Sequence, residues 1–255
     1  MSHAALDEFE RADLNGAIEG LYAAFSGYGV DFPLSACALT VSPEDQQWLA
    51  SKPLRELGPY DLAFYSFKAI TTFGTVADFK HFLPRIFELV ATVPGYPRNP
   101  EIVVGGKLAY ANWRSWPETE QVAVERYFRA LWRDTLSQFR SVLFADECLG
   151  CIAQAVEELG PFLRYWEAAV ERDQPARLHL AEYVCGVVGC LREGRVVGAF
   201  WEDHPERSRQ VSTWLLSPVM ASKVERSFDD FVRDPEGAGW EFMLKQYQEL
   251  RGRPG

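Results

Sequence analysis

The residues with the clearest chemical potential are Cys148 and Cys151, two thiols three positions apart in the stretch SVLFADECLGC. If SVLFA were a strand running into a helix, the pair would hold a thioredoxin-like redox position, with CLREGRVVGAF completing a sheet later in the chain. If Cys185 and Cys190 joined them, four thiolates would make a zinc site. The surrounding residues argue against both. A redox thiol needs a lowered pKa, yet Asp146 and Glu147 directly precede Cys148, and like charge opposes a thiolate. The upstream segment belongs to a long helix starting near Pro117, which leaves no room for a strand–helix–strand unit. Cys185 and Cys190 are loosely spaced, and no turn residue shapes a knuckle at the first pair. A third reading accounts for more. Ala145, Leu149, Ile152, Val156 and Leu159 recur at spacings of 4, 3, 4 and 3, the stripe of an amphipathic helix. The cysteines then flank that stripe as small buried hydrophobes.

Other constellations are weaker. Asp78-x-x-His81 puts a carboxylate and an imidazole on one helical face, and His179-x-x-Glu182 does so in reverse order. A di-metal bundle needs the motif twice in one order, with two further glutamates. Local hydrogen bonding is therefore the expected role of each. Gly105-Gly106-Lys107 lacks a phosphate loop's first glycine and its hydroxyl residue, because Glu101 and Leu108 stand there. Asp229, Asp230, Asp234 and Glu236 lack calcium-loop spacing. No catalytic signature emerges, and the expectation is that no cofactor or metal is used.

The composition narrows the classes further. The chain has 255 residues, 47% of them hydrophobic, which is ample for a core. Lys plus Arg number 26 against 36 Asp plus Glu, a net charge of −10. That balance disfavours nucleic acid and anionic membrane surfaces. The longest apolar stretch, Tyr183 to Leu191, falls short of the roughly 18 residues of a membrane span. With an acidic N-terminus and five cysteines, the chain reads as a cytoplasmic protein with reduced thiols. Thirty-five aromatic residues (Trp 8, Tyr 10, Phe 17) suit a bulky core or an aromatic-lined groove.

Almost everywhere the hydrophobic period is helical. Helices are expected at 4–26, from Ser42-Pro43, over PYDLAFYSFKAITTF, and from Val76 to about His81, with a new one near Pro84 because proline does not fit deep inside a helix. Thr75 to Asp78 forms a capping box. VPGYPRNP, around 94–100, is the best candidate for a seam between lobes. Helices follow at Glu101 to Trp113, from Pro117, and at about 143–158, 161–171, 175–185, 208–216, 218–232 and 239–250. Only Val184 to Trp201 is strand-like, with Glu193-Gly194 as its turn. The expected fold is a single all-α domain of packed antiparallel helices, solenoid-like in one arrangement, with at most one short hairpin near 184–201.

KPLREL (Lys52 to Leu57), YSFKAITTFGTVADFKHFLPRIFEL (Tyr65 to Leu89) and KLAYANWRSWPETEQVAVERYFRALW (Lys107 to Trp132) together resemble an uncharacterised bacterial family of all-helical proteins. The later FWEDHPERSRQVSTWLLSP fits loosely. Relatives in that family carry a Cys-Pro-Cys-Cys cluster in the first long loop. Here the loop reads Leu34-Ser35-Ala36-Cys37, so a metal site there would be lost. The resemblance implies a helical fold and no activity. The function expected from the residues is non-catalytic binding of a protein partner or small ligand. The candidate surface gathers Lys68, Asp78, His81, Arg85, Trp113 and Trp116, near helix ends where polar groups converge. The alternative is a thiol- or metal-dependent enzyme using Cys148 and Cys151. Nothing in the pattern bears on oligomeric state.

Overall fold

A computed structural model describes residues 8–192, 194–196, 201–231 and 241–252. The fold is all-α. Its helices are α1 (Leu14–Ala24), α2 (Pro43–Ala50), α3 (Pro59–Lys68), α4 (Val76–Thr92), α5 (Lys107–Tyr110), α6 (Glu118–Ser137), α7 (Ala145–Ala155), α8 (Gly160–Arg172), α9 (Gln174–Val187), α10 (Pro205–Leu215), α11 (Pro218–Phe231) and α12 (Glu241–Arg251). A hairpin pairs β1 (Leu191–Arg192) with β2 (Arg195–Val196), turning at Gly194, whose φ of 71° suits glycine. Glu193, residues 197–200, the 234–237 turn and His3 lie outside the described residues. Val184–Val187 belongs to α9 rather than to a strand, because the Val-rich run continues that helix's buried face.

α1 packs on α6 and α4, α7 on the segment 101–106, α9 on α11 and α8, and α10 on β2. One contiguous apolar core runs from Phe9 to Tyr247 and includes residues on both sides of 94–100. Tyr96, inside that segment, is itself buried, and its hydroxyl meets Ser66 Oγ of α3 at 3.4 Å.

The caps at Ser42 and Thr75 form as expected: each hydroxyl accepts the N–H three residues on, and Asp45 and Asp78 return the bond. Four helix expectations are corrected. The first helical stretch is not continuous. Asp13 starts a fresh helix by accepting the Gly16 N–H at 2.6 Å, while Arg133 takes the carbonyl of Ala12. The helix from Pro59 stops at Lys68, whose carbonyl gathers the N–H groups of Thr71, Thr72 and Phe73. Conversely, α4 runs unbroken through Pro84. A proline inside a helix costs about 3 kcal/mol, but Phe79, Leu83, Ile86, Phe87 and Val90 are fully buried along that helix. Each such side chain contributes roughly 1.5–3 kcal/mol, so burial outweighs the kink. Last, Glu101 to Trp113 is not one α-helix. Glu101–Gly106 is a π-helix, α5 adds one turn, and left-handed Asn112 (φ 48°) leads into a 3₁₀ turn at Trp113–Ser115.

Candidate functional site

The cysteine pair lies where the helical stripe puts it. Ala145, Leu149 and Ile152 are buried on α7, and Val156 and Leu159, which lie past its end because Val156 is already extended, are buried too; Cys148 and Cys151 are fully enclosed beside them as free thiols. Burial pushes Cys148 up to about 12 and Cys151 well above the usual thiol range. A thiol held neutral at pH 7 is a poor nucleophile and a poor metal ligand. Against α7 lies the π-helix. A methyl on Gly105 would come 2.2 Å from the Cys151 carbonyl oxygen, and one on Gly150 would come 2.8 Å from Glu101 Cγ. Gly105 of GGK therefore lets its backbone touch that of α7, and Gly150 of CLGC leaves room for the Glu101 side chain. Sealed there, Glu101 has its carboxyl pushed up to about 7 by burial, with Glu147 and Asp146 adding to it. Lys107 donates to the Ala69 carbonyl at 2.8 Å, and burial lowers it to about 8.

The six residues singled out from sequence have the following places. Lys68 ends α3, its ammonium 5.7 Å from the Phe67 ring. Asp78 caps α4. His81 Nδ1 meets the Tyr28 carbonyl at 2.8 Å. Arg85 donates Nε to the Leu57 carbonyl at 2.8 Å and pairs with Glu88 at 2.7 Å. Trp113 is buried and donates to Ala155 O at the end of α7. Trp116 is buried edge-on to Phe25 and donates to Ala111 O. Trp116 and His81 are linked through Tyr28 and Lys80, whereas Trp113 points to a different helix end. None of the six lines any of the four cavities described below.

The link between Trp116 and His81 contains a buried ion pair that the sequence reading missed. Lys80 Nζ lies 2.7 Å from Glu120 Oε2 and donates to the Tyr28 hydroxyl at 2.9 Å, which in turn donates to Glu120 Oε1 at 2.7 Å. The ammonium also sits 4.4 Å from the Trp116 ring. This closed network ties α4 to α6. Breaking a buried pair leaves an uncompensated charge, so it stays shut.

Among the described residues, the cavities that open to the surface include four. Two of them, about 410 Å³ each, have an ion pair in the wall: Arg114 with Glu125 in one, and Arg172 with Glu10 in the other. A third lies between α7 and α9. The fourth, about 230 Å³, lies between α2 and α3 and is lined by Trp48, Leu49, Tyr60, Phe64, Tyr65, Phe73, Asp45 and Asp61. Its aromatic rim faces solvent, with Trp48 61% and Tyr60 97% exposed. Sequence reasoning did not nominate these residues, although the signal exists: Tyr60 and Phe64, one helical turn apart, form a second apolar ridge on α3, apart from fully buried Leu62.

The groove is held by local chemistry. The Ser42 capping box and Pro43 start α2, and buried Leu49 anchors it. The Gln46 amide clasps the Leu34 backbone at both N–H and carbonyl, which ties the preceding loop down. Asp61 accepts the Gly58 N–H at 2.7 Å and Lys52 Nζ at 2.6 Å, fixing the start of α3. The floor is Phe73, packed 5.2 Å from the Tyr65 ring. It is set by a turn holding Ile70 at φ 67° and Gly74 at φ 77°. A β-branched residue in that region is strained by about 1–3 kcal/mol. The Tyr65 hydroxyl is buried and has no hydrogen-bond partner among the described residues. In the loop before α2, Cys37 is exposed, and hydrogen bonds from Leu39 and Thr40 lower its thiol pKa.

No protein-family model, curated protein or solved structure matches the chain.

Proposed function

We propose that this protein is a non-catalytic binding module, and that the groove between α2 and α3 receives an apolar side chain flanked by basic residues from a partner protein. The observation that carries this reading is the exposure of Trp48 and Tyr60 at the mouth of a cavity. Large aromatics left in water beside a cavity mark recognition surfaces, and Trp and Tyr dominate binding energy where they are found. The basic character of the partner follows from charge. The groove's two charged lining residues, Asp45 and Asp61, are both carboxylates, Asp45 within its capping box and Asp61 beside Lys52, and the chain carries −10 overall, which sets the sign of the wider surface. Aromatic faces next to carboxylates favour ammonium and guanidinium groups.

The test compares two capped tripeptides, Lys-Phe-Lys and Glu-Phe-Glu, by calorimetry and amide chemical shifts. The basic peptide is expected to bind and to perturb residues of α2 and α3, and the acidic one is not. Trp48→Ala and Tyr60→Ala, both at exposed positions, should each weaken binding about ten-fold or more. Equal binding of the two peptides, or undiminished binding by both variants, overturns the proposal.

A further inference from the structure

α3 has two apolar faces. Leu62 and Tyr65 are buried in the core, whereas Tyr60, Ala63, Phe64 and Phe67 are exposed. The exposed four fall at i, i+3, i+4 and i+7, the spacing of the stripe that an amphipathic helix ordinarily buries. Trp48 of α2 stands beside them across the groove.

The patch has the area for a pair of chains. Tyr60 is 97% exposed, Trp48 61%, Phe67 49% and Phe64 38%. At roughly 200 Å² for a whole aromatic side chain, their exposed parts come to about 500 Å². Two such patches set against each other remove about 1,000 Å² from water, the lower limit of a specific interface.

The stripe is also complementary to itself. With two α3 helices antiparallel and the two-fold axis passing between Ala63 and Phe64, Phe64 of each copy meets the small Ala63 of the other. Phe67 then lies opposite Tyr60. Small residues facing large ones let packed helices interdigitate. The ends match in the sense the groove calls for. Phe67 is followed by Lys68, whose ammonium lies 5.7 Å from the Phe67 ring and has no ion-pair partner among the described residues. In the antiparallel pair Lys68 comes to the end of α3 where Asp61 lies. Asp61 already holds Lys52 at 2.6 Å, so this contact directs docking more than it strengthens it. The apolar side chain with a basic neighbour that the groove accepts is thus present on the chain's own surface.

We infer that two copies of this chain pair through α3, antiparallel and isologous. Phe64 and Phe67 of each pack against Ala63 and Tyr60 of the other, with Trp48 at the flank. The inference rests on the reading of the α2–α3 groove as a recognition surface and names its partner.

Sedimentation equilibrium of the full chain tests it, from about 1 to 500 µM protein in about 0.15 M NaCl. A reversible monomer–dimer equilibrium is expected in the upper part of that range, since an interface of this size binds weakly. Phe67→Ser should weaken the dimer about ten-fold or more. Ala63→Arg, at an exposed position, should do the same, and it serves if Phe67→Ser folds poorly. Phe67 does not line the groove cavity, so Phe67→Ser should still bind Lys-Phe-Lys, whereas Tyr60→Ala should lose both peptide and dimer. Saturating Lys-Phe-Lys should shift the parent to monomer. Each copy carries −10, so raising NaCl to about 0.5 M should tighten the dimer by screening that repulsion. The inference fails, and the groove reading stands, if the chain binds Lys-Phe-Lys yet stays monomeric throughout. It fails too if a dimer forms that neither Phe67→Ser nor Ala63→Arg weakens, or one that dissolves in the higher salt. A dimer that both variants break, with no binding of Lys-Phe-Lys, upholds the pairing and overturns only the groove's preference for a basic flank.

Discussion

The contact between α7 and the π-helix and the groove between α2 and α3 are near opposites. The first holds the residue types associated with chemistry: Cys148, Cys151, Glu101 and the paired glycines. All are sealed, and the glycines serve packing: Gly105 lets two backbones meet, and Gly150 makes room for the Glu101 side chain. The second holds residues with little reactive chemistry, Trp48, Tyr60 and Phe64, and leaves them in water around a cavity. The difference teaches that a motif's spacing reports the element it lies on, whereas its use depends on which face that element buries. A CxxC on the inner face of a helix is packing material. An aromatic ridge on an outer face is a surface that packing has left unused.

The sharpest test of this contrast is thiol labelling. Cys37 and Cys190 are exposed, and Cys148, Cys151 and Cys185 are buried. A disulfide reagent should modify the first two rapidly in the native protein, with Cys37 favoured by its lowered pKa. Cys148 and Cys151 should react about three or more orders of magnitude more slowly, since labelling waits on opening events that cost several kcal/mol. All five should react at once in denaturant. Rapid native labelling of Cys148 or Cys151 would break the comparison. Next in size is Gly105→Ala. Its new methyl would meet the Cys151 carbonyl oxygen at 2.2 Å, a backbone neighbour that cannot swing aside. Urea unfolding should report a loss of about 3 kcal/mol. A loss under 1 kcal/mol would mean that the π-helix and α7 are not in register as described.

Much of the sealed region was readable from the sequence, and little of the exposed one was. The first steps of the stripe, Ala145, Leu149 and Ile152, identified α7, and Ser42 and Thr75 announced their helices, because periodicity and capping are local properties. The break at Asp13, the passage of α4 through Pro84 and the π-helix at Glu101 were not readable. Each depends on a distant partner: Arg133 for Ala12, the surrounding core for Pro84, and the α7 backbone for Gly105. The Lys80–Glu120 pair joins residues forty apart with no shared pattern. The candidate surface built on Trp113 and Trp116 relied on residue type near helix ends, and both rings are turned inward. The Tyr60–Phe64 ridge stood at a regular spacing, but with Leu62 and Tyr65 on the same helix also apolar, the segment read only as a helix.

Glu101 gives a smaller, pH-dependent test of the sealed side. Its carboxyl is raised to about 7 from an ordinary value of 4.5, with burial the main cause. The folded protein therefore holds this proton more tightly than the unfolded chain. Stability attributable to Glu101 is fully present below about pH 4.5, falls as pH rises through 7, and stays lower above it. Glu101→Gln should accordingly gain about 1–2 kcal/mol over the parent at pH 8 and little at pH 4.5. An equal effect at both pH values would mean that Glu101 is ionised and compensated in the fold.

The smallest stability effect is expected at the groove, and its smallness is what gives it force. Trp48 and Tyr60 are 61% and 97% exposed, and substitutions at such positions fall within about 0.5 kcal/mol of the parent. Trp48→Ala and Tyr60→Ala should therefore unfold at nearly the parental urea midpoint while losing the basic peptide. Stability and binding would then separate at the α2–α3 groove, as they cannot at Gly105. If either variant lost 2 kcal/mol or more, the exposed rings would be supporting the fold, and the contrast between a sealed interior and a free recognition surface would no longer hold.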